Sequence, residues 1–143
     1  MSYFNKITFL FLMVVSTSSF GANFPEGAFK VVAFAFEKGS KRITDADVNL
    51  FEGRLLVEKK GIDRVAFTIS VKMQVTRDSP IKSDSRYDEF TVKWDGQHAG
   101  SLINSDRKFA GDKTTFVIDG NRLVVKSWIE RHQAFETHTY ARQ

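Results

Sequence analysis

The side chains with the most chemical potential are three histidines, His98, His132 and His138, and a carboxylate two places before the last, Glu136. Histidine changes charge near neutral pH and is the commonest metal ligand. On one strand, His132 and His138 would stand roughly 20 Å apart at about 3.3 Å per residue, too far to share a metal. Glu136 and His138 would share a strand face, where they could pair, but a solvated strand face is the ordinary explanation of the pattern. The chain holds no cysteine, so it has no thiolate nucleophile and no disulfide. It contains no Gly-x-Ser-x-Gly elbow, no phosphate-binding glycine loop and no His-Glu-x-x-His motif. The expectation is a protein that is not an enzyme, with no catalytic residue, no metal ligands and no cofactor.

The aromatic residues carry more information. Phe34, Phe36, Phe67, Phe90, Trp94, Phe116 and Phe135 are many for a small chain. They are either the filling of a core or the lining of a pocket. The stretch from Arg64 to Val75, "RVAFTISVKMQV", shows the underlying order: Val65, Phe67, Ile69, Val71, Met73 and Val75 alternate with Ala66, Thr68, Ser70, Lys72 and Gln74. A strand sends successive side chains to opposite faces, so this segment has one apolar face and one largely polar face. Val65, Phe67, Ile69, Val71 and Met73 are expected to be buried.

Such strands need neighbours, and turn signals supply them: "EKGSKR", "FEG", "KKGID", "WDGQ", "FAGDK" and "IDGNR". The expected strands are Phe29–Phe36, Leu55–Glu58, Arg64–Val75, Glu89–Trp94, Gly100–Ile103, Thr115–Ile118, Leu123–Ile129 and Ala134–Tyr140. The first is apolar on both faces, which implies cover on both. A two-residue turn at Asp119-Gly120 would set Phe116 against Leu123. A three-residue loop at Lys60-Gly61-Ile62 would set Val57 against Val65 and Glu58 against Arg64. A three-residue loop at Arg131-His132-Gln133 would set Ile129 against Phe135 and Ser127 against Thr137. That last register turns Glu136 and His138 to solvent; the alternative buries them, at a cost unless they are paired. "ITDADVNLF", Ile43–Phe51, is expected as a short helix with Thr44 as cap and Asp47 three residues on. "TRDSPIKSDSR", residues 76–86, reads as a long exposed loop or hairpin end.

The front of the chain has the pattern of a secretory signal peptide: Lys6, then a short apolar run from Ile7 to Val15, then small residues. That run is too short to span a bilayer of about 30 Å as a helix. Cleavage is expected near Gly21 or Ala22, making residues 1–21 the signal and 22–143 one β-barrel domain, periplasmic or secreted. A cysteine-free exported chain suits a bacterial periplasm. The net charge of +4 comes from scattered lysines and arginines, which argues against a nucleic-acid surface.

The layout resembles the calycins, the small antiparallel barrels that include lipocalins and fatty-acid-binding proteins. The residues that carry the resemblance are "EGAFKVV" at Glu26–Val32, with Gly27-Ala28-Phe29 where such chains have Gly-x-Trp, and the closing hairpin ending in Tyr140-Ala141-Arg142. The family's middle Thr-Asp-Tyr motif is absent. The resemblance implies that Phe29 closes one barrel end and that Arg142 packs over it. It also implies an all-β, about eight-stranded, antiparallel up-and-down barrel.

Small barrels are either filled or hold one small ligand. The preferred reading is an exported carrier of a small apolar or amphipathic, lipid-like ligand. Its walls would be Phe67, Ile69, Val71, Met73, Phe90, Trp94, Phe116, Val125 and Phe135, with Ser127 and Thr137 as polar groups. The alternative is a filled barrel that acts through its loops on a protein partner, such as an inhibitor of a cell-envelope enzyme, with the basic 76–86 loop and the outward-facing Trp128 as its surface.

Overall fold

Alternating strands can hide their apolar faces by curling into a closed sheet, and this chain does so. The computed structural model describes residues 24–104 and 111–143, so the expected signal peptide and its cleavage point lie outside the described residues. The strands are β1 (Gly27–Lys38), β2 (Lys41–Thr44), β3 (Leu50–Lys59), β4 (Arg64–Gln74), β5 (Lys82–Trp94), β6 (Ala99–Asn104), β7 (Lys113–Asp119), β8 (Arg122–Ile129) and β9 (Ala134–Arg142). Each pairs antiparallel with its neighbour, and β1 also pairs with β9. The result is a closed eight-stranded up-and-down barrel of β1 and β3–β9, with β2 folded against the second half of β1.

The doubly apolar first strand has a different explanation from cover on both faces. A β-bulge between Val31 and Ala33 inserts one residue against β9. One inserted residue exchanges the faces of everything after it. Phe29 and Val31 therefore point inward before the bulge, and Phe34 and Phe36 point inward after it. Val32 is left exposed.

The expected helix at Ile43–Phe51 is corrected. The segment divides into β2, one 3₁₀ turn at Asp45–Asp47, and the start of β3. The expected cap is present: the Asp47 carboxylate accepts from Thr44 N–H at 2.8 Å. Pairing of β1 with β3 stops at Lys30, and the Asp45 carboxylate accepts from the freed Phe34 N–H at 3.2 Å. Residues 82–86 are also corrected, from loop to the first half of β5, paired with β4 out to Met73–Lys82.

Two hairpins keep the expected faces but slide by two residues. Gly120 and Asn121 form the link between β7 and β8, so Phe116 faces Val125 rather than Leu123. Gly120 has φ of 60°, which a left-handed first turn position requires. Between β3 and β4, Val57 faces Phe67, and Arg64 bonds Glu89 at 2.8 Å instead of Glu58.

The last hairpin slides by one residue and is corrected outright. Its link is four residues, Glu130–Gln133, built as a 3₁₀ turn closed by Gln133 at φ 49°. Trp128 therefore opposes Phe135 on the outside, and Ser127 opposes Glu136 on the inside.

The dry core fills one end of the barrel. Phe29, Leu55, Val57, Val65, Phe67, Phe116 and Leu123 are almost fully buried there. Phe24 plugs this end, with its ring 5.0 Å from Phe116 and nearly perpendicular to it. Trp94 meets the Phe116 ring edge to face at 5.2 Å. Such geometry adds to the burial of large apolar surface. The Arg142 guanidinium lies over Phe29, 5.6 Å from its ring centre, and Phe29 is 1% exposed.

Candidate ligand-binding site

Above this packed floor the barrel is hollow. The inward positions of β4 continue as Phe67, Ile69, Val71 and Met73, and only the first is fully buried. The next three are half-buried because they border empty space. That space is a cavity of about 640 Å³, within the usual size range of small-molecule sites.

The wall that continues from β4 through β3 and β1 to β9 is aromatic. Phe34 and Phe51 stack at 4.7 Å with planes 18° apart, and His138 and Tyr140 lie 6.0 Å apart, again at 18°. His138 joins the two pairs, 5.9 Å from Phe34 and 6.3 Å from Phe51. The bulge in β1 and the slide of β9 create this arrangement, because they turn Phe34 and His138 to the same side of the sheet. Ile43 of β2 and Val48 border the cavity towards its mouth.

Polar groups converge within the same space. Thr114 and Ser127 share a hydrogen bond of 3.0 Å on facing strands. The inward positions of β5 change character along the strand, from Trp94, Val92 and Phe90 to Asp88, Arg86, Asp84 and Lys82. Arg86 Nε donates to Asp88 Oδ2 at 2.9 Å. Burial holds the His138 imidazole down to a pKa of about 4, and the Arg86 charge adds to this, so the ring is neutral at pH 7. Burial likewise pushes the Tyr140 phenol above its ordinary range; Arg86 opposes the shift and Glu136 reinforces it.

Seven of the expected wall residues border this cavity: Phe67, Ile69, Val71, Met73, Phe90, Val125 and Ser127. Trp94 and Phe116 belong instead to the packed floor. Phe135 and Thr137 are corrected, because the four-residue link turns both outward. Phe135 is 39% exposed, rests 4.8 Å from Trp128 and carries Lys126 Nζ 4.5 Å above its ring. The expectation that Glu136 and His138 face solvent on the outer wall is corrected in the same way: both line the cavity. Burying them is tolerable because the upper lumen is open rather than dry, and because His138 stays neutral.

Sequence reasoning missed Arg86, Phe51 and Tyr140. Counting back from Phe90 in steps of two would have placed Arg86 inside, but its charged neighbours read as loop. Among the described residues no three His, Cys, Asp or Glu side chains are grouped to hold a metal. No helix among them is long and apolar enough to cross a membrane.

No family model matches the chain, and no curated protein matches it. Solved structures do. The siderocalin Ex-FABP matches with a TM-score of 0.57 at 11% identity, over 82% of this chain and 73% of that one. A de novo designed fluorescence-activating β-barrel matches with a TM-score of 0.51 at 12% identity, over 86% and 97%. The fold is calycin-like. With it, the expected roles of Phe29 and Arg142 at the closed end find their place in the geometry described above.

Proposed function

We propose that this chain is an exported, non-catalytic carrier that holds one small apolar or amphipathic ligand in the open half of its barrel. The observation that carries the reading is the cavity itself, about 640 Å³, with an apolar wall of Ile69, Val71, Met73 and Val125 and a few polar groups converging on it. Burial of apolar ligand surface, at roughly 25 cal/mol per Å², would drive binding, and the polar groups would set orientation. The likeness to a siderocalin described as having dual ligand specificities supports a binding role. The signal-like front of the chain supports export, with residues 22–143 as the working protein.

Titration with Nile red, a neutral apolar dye, tests the reading directly. Saturable enhancement of its fluorescence, lost on filling the lumen with Val71→Trp, is the expected result. Absence of binding by the folded native protein would sink the carrier reading. Native mass spectrometry of protein recovered from an envelope fraction would reveal a co-purifying ligand, and N-terminal sequencing of that sample would show whether the chain starts near Ala22.

A second reading draws on the outer wall, where the Trp128–Phe135 pair beneath Lys126 presents an aromatic, cationic surface. Trp and aromatic anchors are enriched at protein interfaces. On this reading the barrel engages a protein of the envelope, and loss of that partner in Trp128→Ala with unchanged Nile red binding would favour it.

A further inference from the structure

The charged groups bordering the cavity are of both signs: Lys82 and Arg86 against Asp47, Asp84 and Glu136. Two of them, Arg86 and Glu136, stand on opposing walls, since β5 and β9 lie four strands apart in a ring of eight. Both border the same cavity, as do His138 and Tyr140 beside Glu136 on β9. Arg86 and Glu136 form no ion pair with each other. Arg86 is held through Nε by Asp88, a contact that does not engage its two Nη groups, and its side chain is 64% exposed. Among the described residues no hydrogen bond or ion pair reaches the Glu136 carboxylate. Phe36 stands directly across the ladder from it, offering a ring beside the carboxylate.

An ammonium near Glu136 would gain both a charge partner and an aromatic face. An anion near Arg86 would gain charge-assisted hydrogen bonds from a guanidinium already held in place. A ligand bearing only one charge meets one of these groups and is repelled by the other. We infer that the ligand of this cavity is a single-chain amphiphile with a zwitterionic head, its cation on Glu136, its anion on Arg86 and its tail along the apolar wall of Ile69, Val71 and Met73.

This inference rests on the carrier reading, and the test separates the two. Nile red is displaced by four amphiphiles of equal chain length, each below its micelle concentration: dodecylphosphocholine, dodecanoate, dodecylammonium and dodecanol. The expected order places dodecylphosphocholine about tenfold tighter than the other three. Glu136→Gln should weaken dodecylphosphocholine and dodecylammonium about fivefold or more and leave dodecanoate equal or tighter. Arg86→Gln should weaken dodecylphosphocholine and dodecanoate and spare dodecylammonium. Circular dichroism and Nile red affinity of both variants show whether the barrel is intact; a variant that fails to fold is replaced by Glu136→Asp or Arg86→Lys, whose altered reach should give a smaller loss of the same sign. Equal binding of all four amphiphiles, or tightest binding of dodecanoate unaffected by Glu136→Gln, overturns the zwitterionic head and leaves the carrier intact. Failure of the native protein to bind Nile red and all four overturns the carrier reading itself.

Discussion

The two ends of this barrel are built from the same strands and differ in what fills them. At the closed end, Phe24, Phe29, Phe67, Trp94 and Phe116 interlock, and the four phenylalanines are almost wholly buried. At the open end, Phe34, Phe51, Val71, Met73 and His138 line a cavity and stay half-buried. Alternation alone does not distinguish these ends, since β4 alternates without a break through both. The difference comes from the side chains that meet each end of β4. Low on β4, Phe67 meets Phe24 at 5.9 Å and Phe90 at 5.2 Å. Higher up, Val71 and Met73 oppose the charged inner positions Asp84 and Lys82, which cannot close a dry core.

The comparison can be broken most forcefully at the closed end. Phe116→Ala removes a ring that is 1% exposed and should cost about 3–5 kcal/mol. Denaturant melts would read the loss, and Nile red affinity of the folded variant should hold. The next effect in size comes from the open end through pH. The His138 pKa of about 4 lies below the unfolded value near 6.5, so the unfolded chain binds a proton that the folded chain refuses. Its contribution is therefore fully present above about pH 6.5 and falls away as pH drops towards 4, by about 2 kcal/mol once solvent access through the mouth is allowed for. Urea midpoints at pH 7 and pH 5 should diverge more for the native protein than for His138→Leu.

Met73→Ala sharpens the contrast. A side chain that borders empty space loses few packing partners when shortened, so the stability cost should be about 1 kcal/mol, well under that of a core site. Its effect should appear instead as a severalfold change in Nile red affinity. A cost equal to that of Phe116→Ala would mean that the upper lumen is packed in solution. The smallest effect is expected outside both ends. Phe135→Ala, on the outer wall, should change stability by about 1 kcal/mol or less and leave dye binding unaltered; a loss of dye binding would restore Phe135 to the lumen and with it the three-residue link.

Much of the fold was legible because its signals are local. Strand alternation marks the faces of β4, and Gly120 marks a hairpin whose faces came out right despite a slide of two residues. A slide of two is harmless to faces because side chains repeat every second residue. Phe29 and Arg142 were legible from short motifs at the two ends of the chain. The wall residues Phe67, Ile69, Val71 and Met73 followed from alternation, while Phe135 and Thr137 were misplaced by one residue of loop length. Arg86 escaped because a run of charges resembles a loop until its strand partner, Ile69 on β4, is known.

By itself, the sequence determined an all-β chain of alternating strands joined by short turns, because a two-residue period and a glycine in a left-handed turn are properties of a few adjacent residues. Only the tertiary structure decided which residues look into the lumen. The bulge at Val31–Ala33 and the extra residue in Glu130–Gln133 each insert one position, and one position exchanges the two faces of all that follows. Whether such an insertion is accepted depends on how β1 and β9 fit each other across the closing seam of the barrel, and those strands stand at opposite ends of the chain.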